Sequence, residues 1–310
     1  MKRPDSQFTA YVGMSLLVLS ASDVDQAITK FKTDELVDVM ARVFLALSTP
    51  HRGRNAEKHA STVDIPHRST ITSKNHNVLF MPSRLSAIGT AIKIVSVPVA
   101  SAPPEVKSHG LPGSTMIIDE NSGNVVAVVN ARKLTALRNA ASSLLATRLM
   151  LPAEASPQTL VAAGAGAQMY AHVALFLSAY PSITTCKVFN RTMNDRLRAL
   201  HEVDSDLIRR AGKIVVDYKE GAMIEAGELI SAKVGAEDVL ELGQLINPPA
   251  SSSPKWSVNQ TLAEQVRASS DVTIFKSVGV GVQDVAIAHA VVDCARKHEL
   301  GTLVGNYDAL

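Results

Sequence analysis

Cysteine is scarce, one-sided charge is missing, and no apolar run is long. Each shortage removes a class of protein. Two cysteines in 310 residues, Cys186 and Cys294, cannot build a disulfide framework and lack zinc-ligand spacing. They read as reduced thiols, which places the expected location in the cytoplasm. Lys and Arg number 31 against 29 Asp and Glu, so the concentrated positive charge that a nucleic-acid backbone demands is lacking. The longest apolar stretch, 8–21 (FTAYVGMSLLVLSA), is too short to span a bilayer. It follows Lys2 and Arg3 and so imitates a weak secretion signal. The preferred reading is a strand at Leu16–Leu19 running into a helix capped by Ser22, with Asp25 three residues on. Residues 1–13 then form a loose extension, with Met14 available as a start. No internal repeat or low-complexity tract occurs.

What is present is apolar material: 46% of residues are hydrophobic, enough for a core, and the length suits two domains or one large α/β domain. Periodicity divides the chain into two textures. Helical spacing at 23–30 and 34–47 is followed by a polar, basic segment, 51–61, read as a solvated loop. From Val63 to Asn130 the runs are short and β-like: 65–71, 78–81, 91–99, 115–119 and 125–129. The last two flank the polar, Gly-containing connection 120–124, a hairpin. Strands joined without helices predict an antiparallel sheet. A helix rich in Ala and Leu, 134–151, is closed by Pro152.

The second texture is β-α-β. Strand 159–163 leads through a glycine turn into helix 168–179 and strand 185–189. Further elements are expected at 194–201 (helix), 213–217 (strand), 222–231 and 239–245 (helices), 272–276 (strand) and 284–299 (helix), with a loop at 248–254. The fold class is therefore α/β: a shortened Rossmann-like parallel dinucleotide-binding domain, plus an α+β domain with an antiparallel sheet. The expected bounds are 14–134 with 282–310 for the substrate and dimerisation domain, and 135–281 for the dinucleotide domain.

Gly164-Ala165-Gly166-Ala167-Gln168-Met169 lies between a strand and a helix, where a glycine bend offers backbone N–H groups and a helix N-terminus to a pyrophosphate. Met169 departs from the Gly or Ala usual at the third position. A dinucleotide site selective for NAD carries an acid at the end of the second strand. Here the strand ends Phe189-Asn190-Arg191-Thr192, and a guanidinium with a hydroxyl suits a 2′-phosphate. NADP(H) is favoured, with NAD(H) as the alternative. Arg138, preceded by Arg132 and Lys133, stands near the start of its helix against the dipole preference. Such an arginine suits an anion such as a substrate carboxylate; an ion pair with a distant acid is the competing reading.

These segments resemble the ornithine cyclodeaminase/μ-crystallin family, its fungal members in particular. The resemblance is carried by 134–146 (LTALRNAASSLLA), 161–172 (VAAGAGAQMYAH), 189–192 (FNRT) and 274–288 (IFKSVGVGVQDVAIA), with support from IPHRS at 65–69 and LFMPSRL at 79–85. It implies a homodimer and a substrate carboxylate held by Arg68, Lys93 and Arg138, Lys93 also being able to give a proton to an imine nitrogen. It places cofactor contacts at Gly164, Ala165, Gly166, Ala167, Gln168, Asn190, Arg191, Thr192 and near Lys276–Gly279, with Thr115 and Glu241 as weaker candidates. No metal is implied.

One departure matters. Only residues 193–212 separate Thr192 from the strand KIVVD, so two strands of the family pattern and their loops are absent. With them goes the acid that separates cyclodeaminases from imine reductases. The expected activity is the NAD(P)H-dependent reduction of a small cyclic imino acid, such as a pyrroline- or piperideine-2-carboxylate. The alternatives are an ornithine cyclodeaminase and a catalytically silent binder of a dinucleotide or small carboxylate. The partners expected are the small substrate and a second copy, with neither nucleic acid nor membrane.

Overall fold

A computed structural model describes residues 15–48, 63–164, 166–189, 205–250 and 255–308. It divides into two units, one formed by 1–32, 53–135 and 281–310 and the other by 33–52 and 136–280. Elements are numbered in chain order across both.

The first unit is built on an eight-stranded sheet: β1 (Leu16–Leu19), β2 (Val63–Asp64), β3 (Ser69–Thr72), β4 (His76–Leu85), β5 (Gly89–Pro98), β6 (Gly113–Ile118), β7 (Val125–Asn130) and β15 (Thr302–Val304). Its helices are α1 (Ala21–Ile28), α3 (Pro104–Ser108) and α10 (Gly281–Lys297). The order is β15-β1-β7-β6-β5-β4-β2, with β3 also paired to β4. Strands β2 to β7 pair antiparallel, as short connections require, while β1 runs parallel to β7. The strands over 63–130 are therefore antiparallel, as the sequence predicted, and β1, which no hairpin joins to β7, adds a parallel pair beside them.

Alternation along the strands defines the buried face. Ala91 and Lys93 on β5, Thr115 and Ile117 on β6, and Ala127 and Val129 on β7 all point inward. Helix α10 packs over β4 to β7, burying Val282, Val285, Ala286, Val291 and Val292. Its start approaches β4 so closely that a Cβ on Gly281 would lie 2.0 Å from Ser83 Oγ. The hairpin at 120–124 forms as expected, and the Asp119 carboxylate accepts from the Asn121 and Ser122 N–H groups. The cap of α1 is corrected. Ser20 accepts from the Asp23 N–H and Asp23 answers at the Ser20 N–H, because β1 ends at Leu19 and the chain turns there rather than at Ser22.

The second unit contains α2 (Thr33–Ser48), α4 (Leu134–Met150, from Ala136 onward), β8 (Thr159–Ala163), α5 (Ala167–Ala179), β9 (Thr185–Phe189), α6 (Ser205–Arg210), β10 (Ile214–Val216), α7 (Lys219–Glu225), α8 (Gly227–Ser231), β11 (Val239–Glu241), β12 (Ile246–Asn247), β13 (Ser257–Val258), α9 (Gln260–Ala268) and β14 (Ile274–Lys276). The expected bounds put α2 in the other domain. It packs here because Phe44 is buried against a short 3₁₀ turn at Leu242–Leu245, where a Cβ on Gly243 would meet the Phe44 carbonyl at 1.9 Å. The Trp256 indole donates to Asp38 at 2.8 Å, and Arg148 pairs with Asp34.

The parallel strands form two separate pieces. β8 pairs with β9, and the other piece has the order β11-β10-β14, all parallel. Around the second piece Ile208, Ile214, Val216, Leu229 and Val239 make a core. The expected helix at 239–245 is replaced by β11 and the 3₁₀ turn, because Val239 and Leu240 pair with Ile214 and Val215. The expected helix at 222–231 breaks into α7 and α8. The β8-α5-β9 piece exposes Val161, Val188, Phe189 and Tyr170, apolar surface that a Rossmann sheet normally covers with neighbouring strands. The helix expected at 194–201, the loop at 51–61 and residues 1–13 lie outside the described residues. Among those described, no helix is long and apolar enough to cross a membrane.

Candidate functional site

In the second unit, the candidate phosphate turn follows β8. Gly164 takes φ +109°, a conformation that favours glycine, and its N–H donates to the Phe189 carbonyl at 2.7 Å, tying the turn to the end of β9. Gly166 is the N-cap of α5 and carries no side-chain cap. Among the described residues, nothing lies within 4 Å of a Cβ built on Gly164 or Gly166. The Ala167 and Gln168 N–H groups open the helix, where partial positive charge gathers. The Gln168 side chain accepts from Asn139 Nδ2 at 3.1 Å, and the His172 ring bridges the Gln168 carbonyl and the Ser143 hydroxyl. These bonds fasten the first turn of α5 to α4. Ala165, Asn190, Arg191 and Thr192 lie outside the described residues.

A second cluster gathers where β10 and β14 end. Asp217, fully buried, accepts from the Tyr218 N–H (2.9 Å) and Val278 N–H (3.2 Å) on Oδ1, and from the Ser277 hydroxyl (2.6 Å) and Gly279 N–H (2.7 Å) on Oδ2. Gly279 has φ +81°, and a Cβ there would lie 2.9 and 3.0 Å from the guanidinium nitrogens of Arg138. Arg138 is only 4% exposed, and its Nη1 donates to the side-chain Oδ1 of Asn139 at 2.5 Å. Beside this loop the Tyr218 phenol is pushed up to about 12, first by burial and then by its hydrogen bond to Glu220.

Lys276, the last residue of β14, is paired within its own unit. Its ammonium lies 2.9 Å from Glu228 Oε1, and the Glu228 side chain is 1% exposed. A buried carboxylate that far from water holds a cation strongly. Glu241 is likewise engaged: Oε1 accepts from the Lys219 N–H and Oε2 from the Ser48 hydroxyl, both at 3.0 Å. Its carboxylate fixes the start of α7 against α2.

In the first unit, Lys93 and Thr115 stand in register on neighbouring strands, both buried. The Lys93 ammonium donates to the Thr135 hydroxyl (2.9 Å) and to both oxygens of Asp284 (3.1 and 3.2 Å). The side chains of the pair are 6% and 3% exposed. Arg68 precedes β3 by one residue, on the far side of β4 from Lys93, and is exposed. So the sheet aligns Lys93 with Thr115, while Arg68 stays at the surface; Arg138 belongs to the other unit. Two acids, Asp284 and Asp217, escaped the sequence reading as site residues. An acid ending an apolar strand (KIVVD) and one opening an apolar helix (GVQDVAIA) were the available signals. Among the described residues no group of three metal-ligating side chains occurs.

A β-α-β piece with a glycine bend, joined in sequence to a sheet bearing a buried lysine, defines the class: an α/β protein with a Rossmann-like dinucleotide fold. The profile of the ornithine cyclodeaminase/mu-crystallin family matches residues 29–205, and the chain belongs to that family. It is 26% identical to ketimine reductase mu-crystallin of Mus musculus over 231 residues, covering 61% of this chain and 70% of that protein. It is 24% identical over 356 residues to delta(1)-pyrroline-2-carboxylate reductase of Bacillus cereus, covering 92% of this chain and 98% of the relative. An alignment of that length, drawing on a 310-residue chain, carries many positions that the relative alone fills. Among solved structures, the Thermococcus litoralis delta(1)-pyrroline-2-carboxylate reductase in complex with NADH and L-proline shares the fold, with TM-score 0.67 and 21% identity, covering 92% of this chain and 99% of that one.

Proposed function

We propose that this chain is a nicotinamide-dinucleotide-dependent reductase of a cyclic imino acid. The observation that carries the reading is the glycine bend at Gly164–Gly166 in a member of this family, at the place where a pyrophosphate would meet the N–H groups of α5. The bend fits the group by three features: a positive φ, no described residue within 4 Å of where Cβ atoms would stand, and an N-terminus without a side-chain cap. When bound, the dinucleotide supplies the hydride that reduces the C=N carbon. The protein's own residues bind and protonate. Arg138, planar and bidentate, suits the substrate carboxylate. Lys93 has its charge already answered by Asp284, so it adds little to an anion cage; its role is to hold a proton for the ring nitrogen. Arg68 completes the proposed carboxylate set, Thr115 belongs with the cofactor contacts, and Arg191 favours NADP(H) over NAD(H) by pairing with a 2′-phosphate. Action as a dimer in the cytoplasm belongs to the same reading.

The division of the parallel strands into two pieces favours a second reading, a protein that binds the dinucleotide without turnover. A cyclodeaminase needs the acid of the absent segment and is the third. Titrating the purified protein with NADPH and NADH, then adding pyrroline-2-carboxylate, piperideine-2-carboxylate or ornithine, separates them. A reductase oxidises NADPH in step with cyclic amino acid formed. Binding without oxidation identifies a silent protein, and ammonia from ornithine without net cofactor consumption identifies the lyase.

A further inference from the structure

We infer that Asp217 is a positioning residue that aims the Arg138 guanidinium through the loop Ser277–Gly279; this rests on the reading that Arg138 takes the substrate carboxylate. The carboxylate of Asp217 is fully buried and takes four donors, two on each oxygen, three of them from the loop that leaves β14. A single anion at the end of β10 therefore dictates the path of residues 277–279. That path ends at Gly279, whose φ of +81° and missing Cβ let the guanidinium lie flush on the backbone; a Cβ would fall 2.9 Å from Nη1. Asn139 draws on Nη1 from the other side at 2.5 Å. The arginine is held between a loop that Asp217 shapes and an amide on its own helix, the kind of support that keeps a binding group within a fraction of an ångström of its working geometry.

The chemistry makes the link specific. In Asp217→Asn, one acceptor oxygen becomes an N–H₂ group facing two donors, so part of the loop's anchorage turns repulsive while the volume of the side chain is kept. Gly279→Ala attacks the same link from its other end and leaves Asp217 untouched. Ser277→Ala removes one bond only.

The test measures calorimetric affinity for L-proline and L-pipecolate in the presence of NADP⁺, together with NADP⁺ affinity alone, for these three variants, Arg138→Ala, and each combined with Arg138→Ala. Asp217→Asn and Gly279→Ala should weaken amino-acid affinity about 10- to 100-fold, as misplacement of a binding group does, with Ser277→Ala intermediate, each measured at a saturating NADP⁺ concentration for that variant. On the Arg138→Ala background they should cause no further loss, which a merely structural role would not produce. Should Asp217→Asn fail to fold, Gly279→Ala and Ser277→Ala carry the same test. Affinity that falls in Arg138→Ala but not in the loop variants, or losses that simply add, would overturn the inference alone. Affinity unchanged in Arg138→Ala would overturn the reading of Arg138 and the inference with it.

Discussion

The buried pair Lys93–Asp284 gives the sharpest energetic prediction. Its side chains are 6% and 3% exposed and its atoms lie 3.1 Å apart, and the ammonium also donates to Thr135. Truncation by Asp284→Ala removes the carboxylate from a buried ammonium on the inner face of the sheet, the face that also carries Ala91, Ile117 and Ala127. An uncompensated buried charge of this kind costs about 3–5 kcal/mol. At roughly 2–4 °C per kcal/mol for a domain of this size class, the melting temperature should fall by about 6–20 °C. Replacing both partners by apolar residues of similar volume, Lys93→Met with Asp284→Leu, removes the charge and its desolvation together, so it should stay within about 1 kcal/mol of the parent. The assay is urea unfolding followed by circular dichroism for the parent, both single variants and the double variant, closed into a cycle. A cost below about 1 kcal/mol for Asp284→Ala with no coupling to Lys93 would refute the reasoning, since it would mean that water reaches the ammonium.

Three further outcomes follow from single features. Gly164→Ala forces a side chain into φ +109°, where no described residue crowds it but the backbone disfavours it; stability should fall by about 1–3 kcal/mol, and the rise in melting temperature that saturating NADPH gives should shrink. Burial pushes the His289 imidazole below its usual value, so below about pH 6.5 the unfolded chain binds a proton that the folded chain resists. Stability should be full above that pH and decline as the pH drops toward the folded value, less steeply in His289→Gln, as urea midpoints at pH 7.5 and 5.5 would show; parallel slopes would contradict it. Tyr218, raised to about 12, holds its proton in the folded state after the unfolded chain would lose it near pH 10. Its contribution is present below pH 10 and is lost as the pH rises toward 12, and absorbance at 295 nm should show tyrosines that titrate late, Tyr180 being raised by burial as well, with the step near pH 12 disappearing in Tyr218→Phe.

Local signals were legible where one segment decides its own structure. Leu16–Leu19, Thr159–Ala163 and Thr185–Phe189 form strands over the spans that the pattern marks, and the glycine bend falls where β8 meets α5. Features settled by distant partners were not. Ser20 and Ser22 each precede an acid by three residues, and only the end of β1 selects Ser20. Val239 and Leu240 have helical spacing but are recruited as a strand by Ile214 and Val215. Lys276 is marked as a cofactor contact only by the resemblance, and nothing in the local sequence shows Glu228 buried beside it. Asp217 shows its role only when the loop at 277–279 folds back onto it. The short interval after Thr192 is legible in the sequence, and among the described residues the parallel strands lie in two pieces.

The apolar surface left on β8, α5 and β9 bears on activity. Rossmann sheets gain rigidity from strands on both sides of the phosphate turn, and here β8 pairs only with β9 among the described residues. The proposed reductase therefore depends on the bend holding its cofactor while Arg138 and Lys93 act on the acid.

The most direct measurement is isotope transfer. With NADPH deuterated at the nicotinamide C4 and pyrroline- or piperideine-2-carboxylate as substrate, mass spectrometry of the product should find one deuterium at Cα, formed in step with the loss of absorbance at 340 nm. Saturable NADPH binding with no deuterium in any cyclic amino acid would contradict the account.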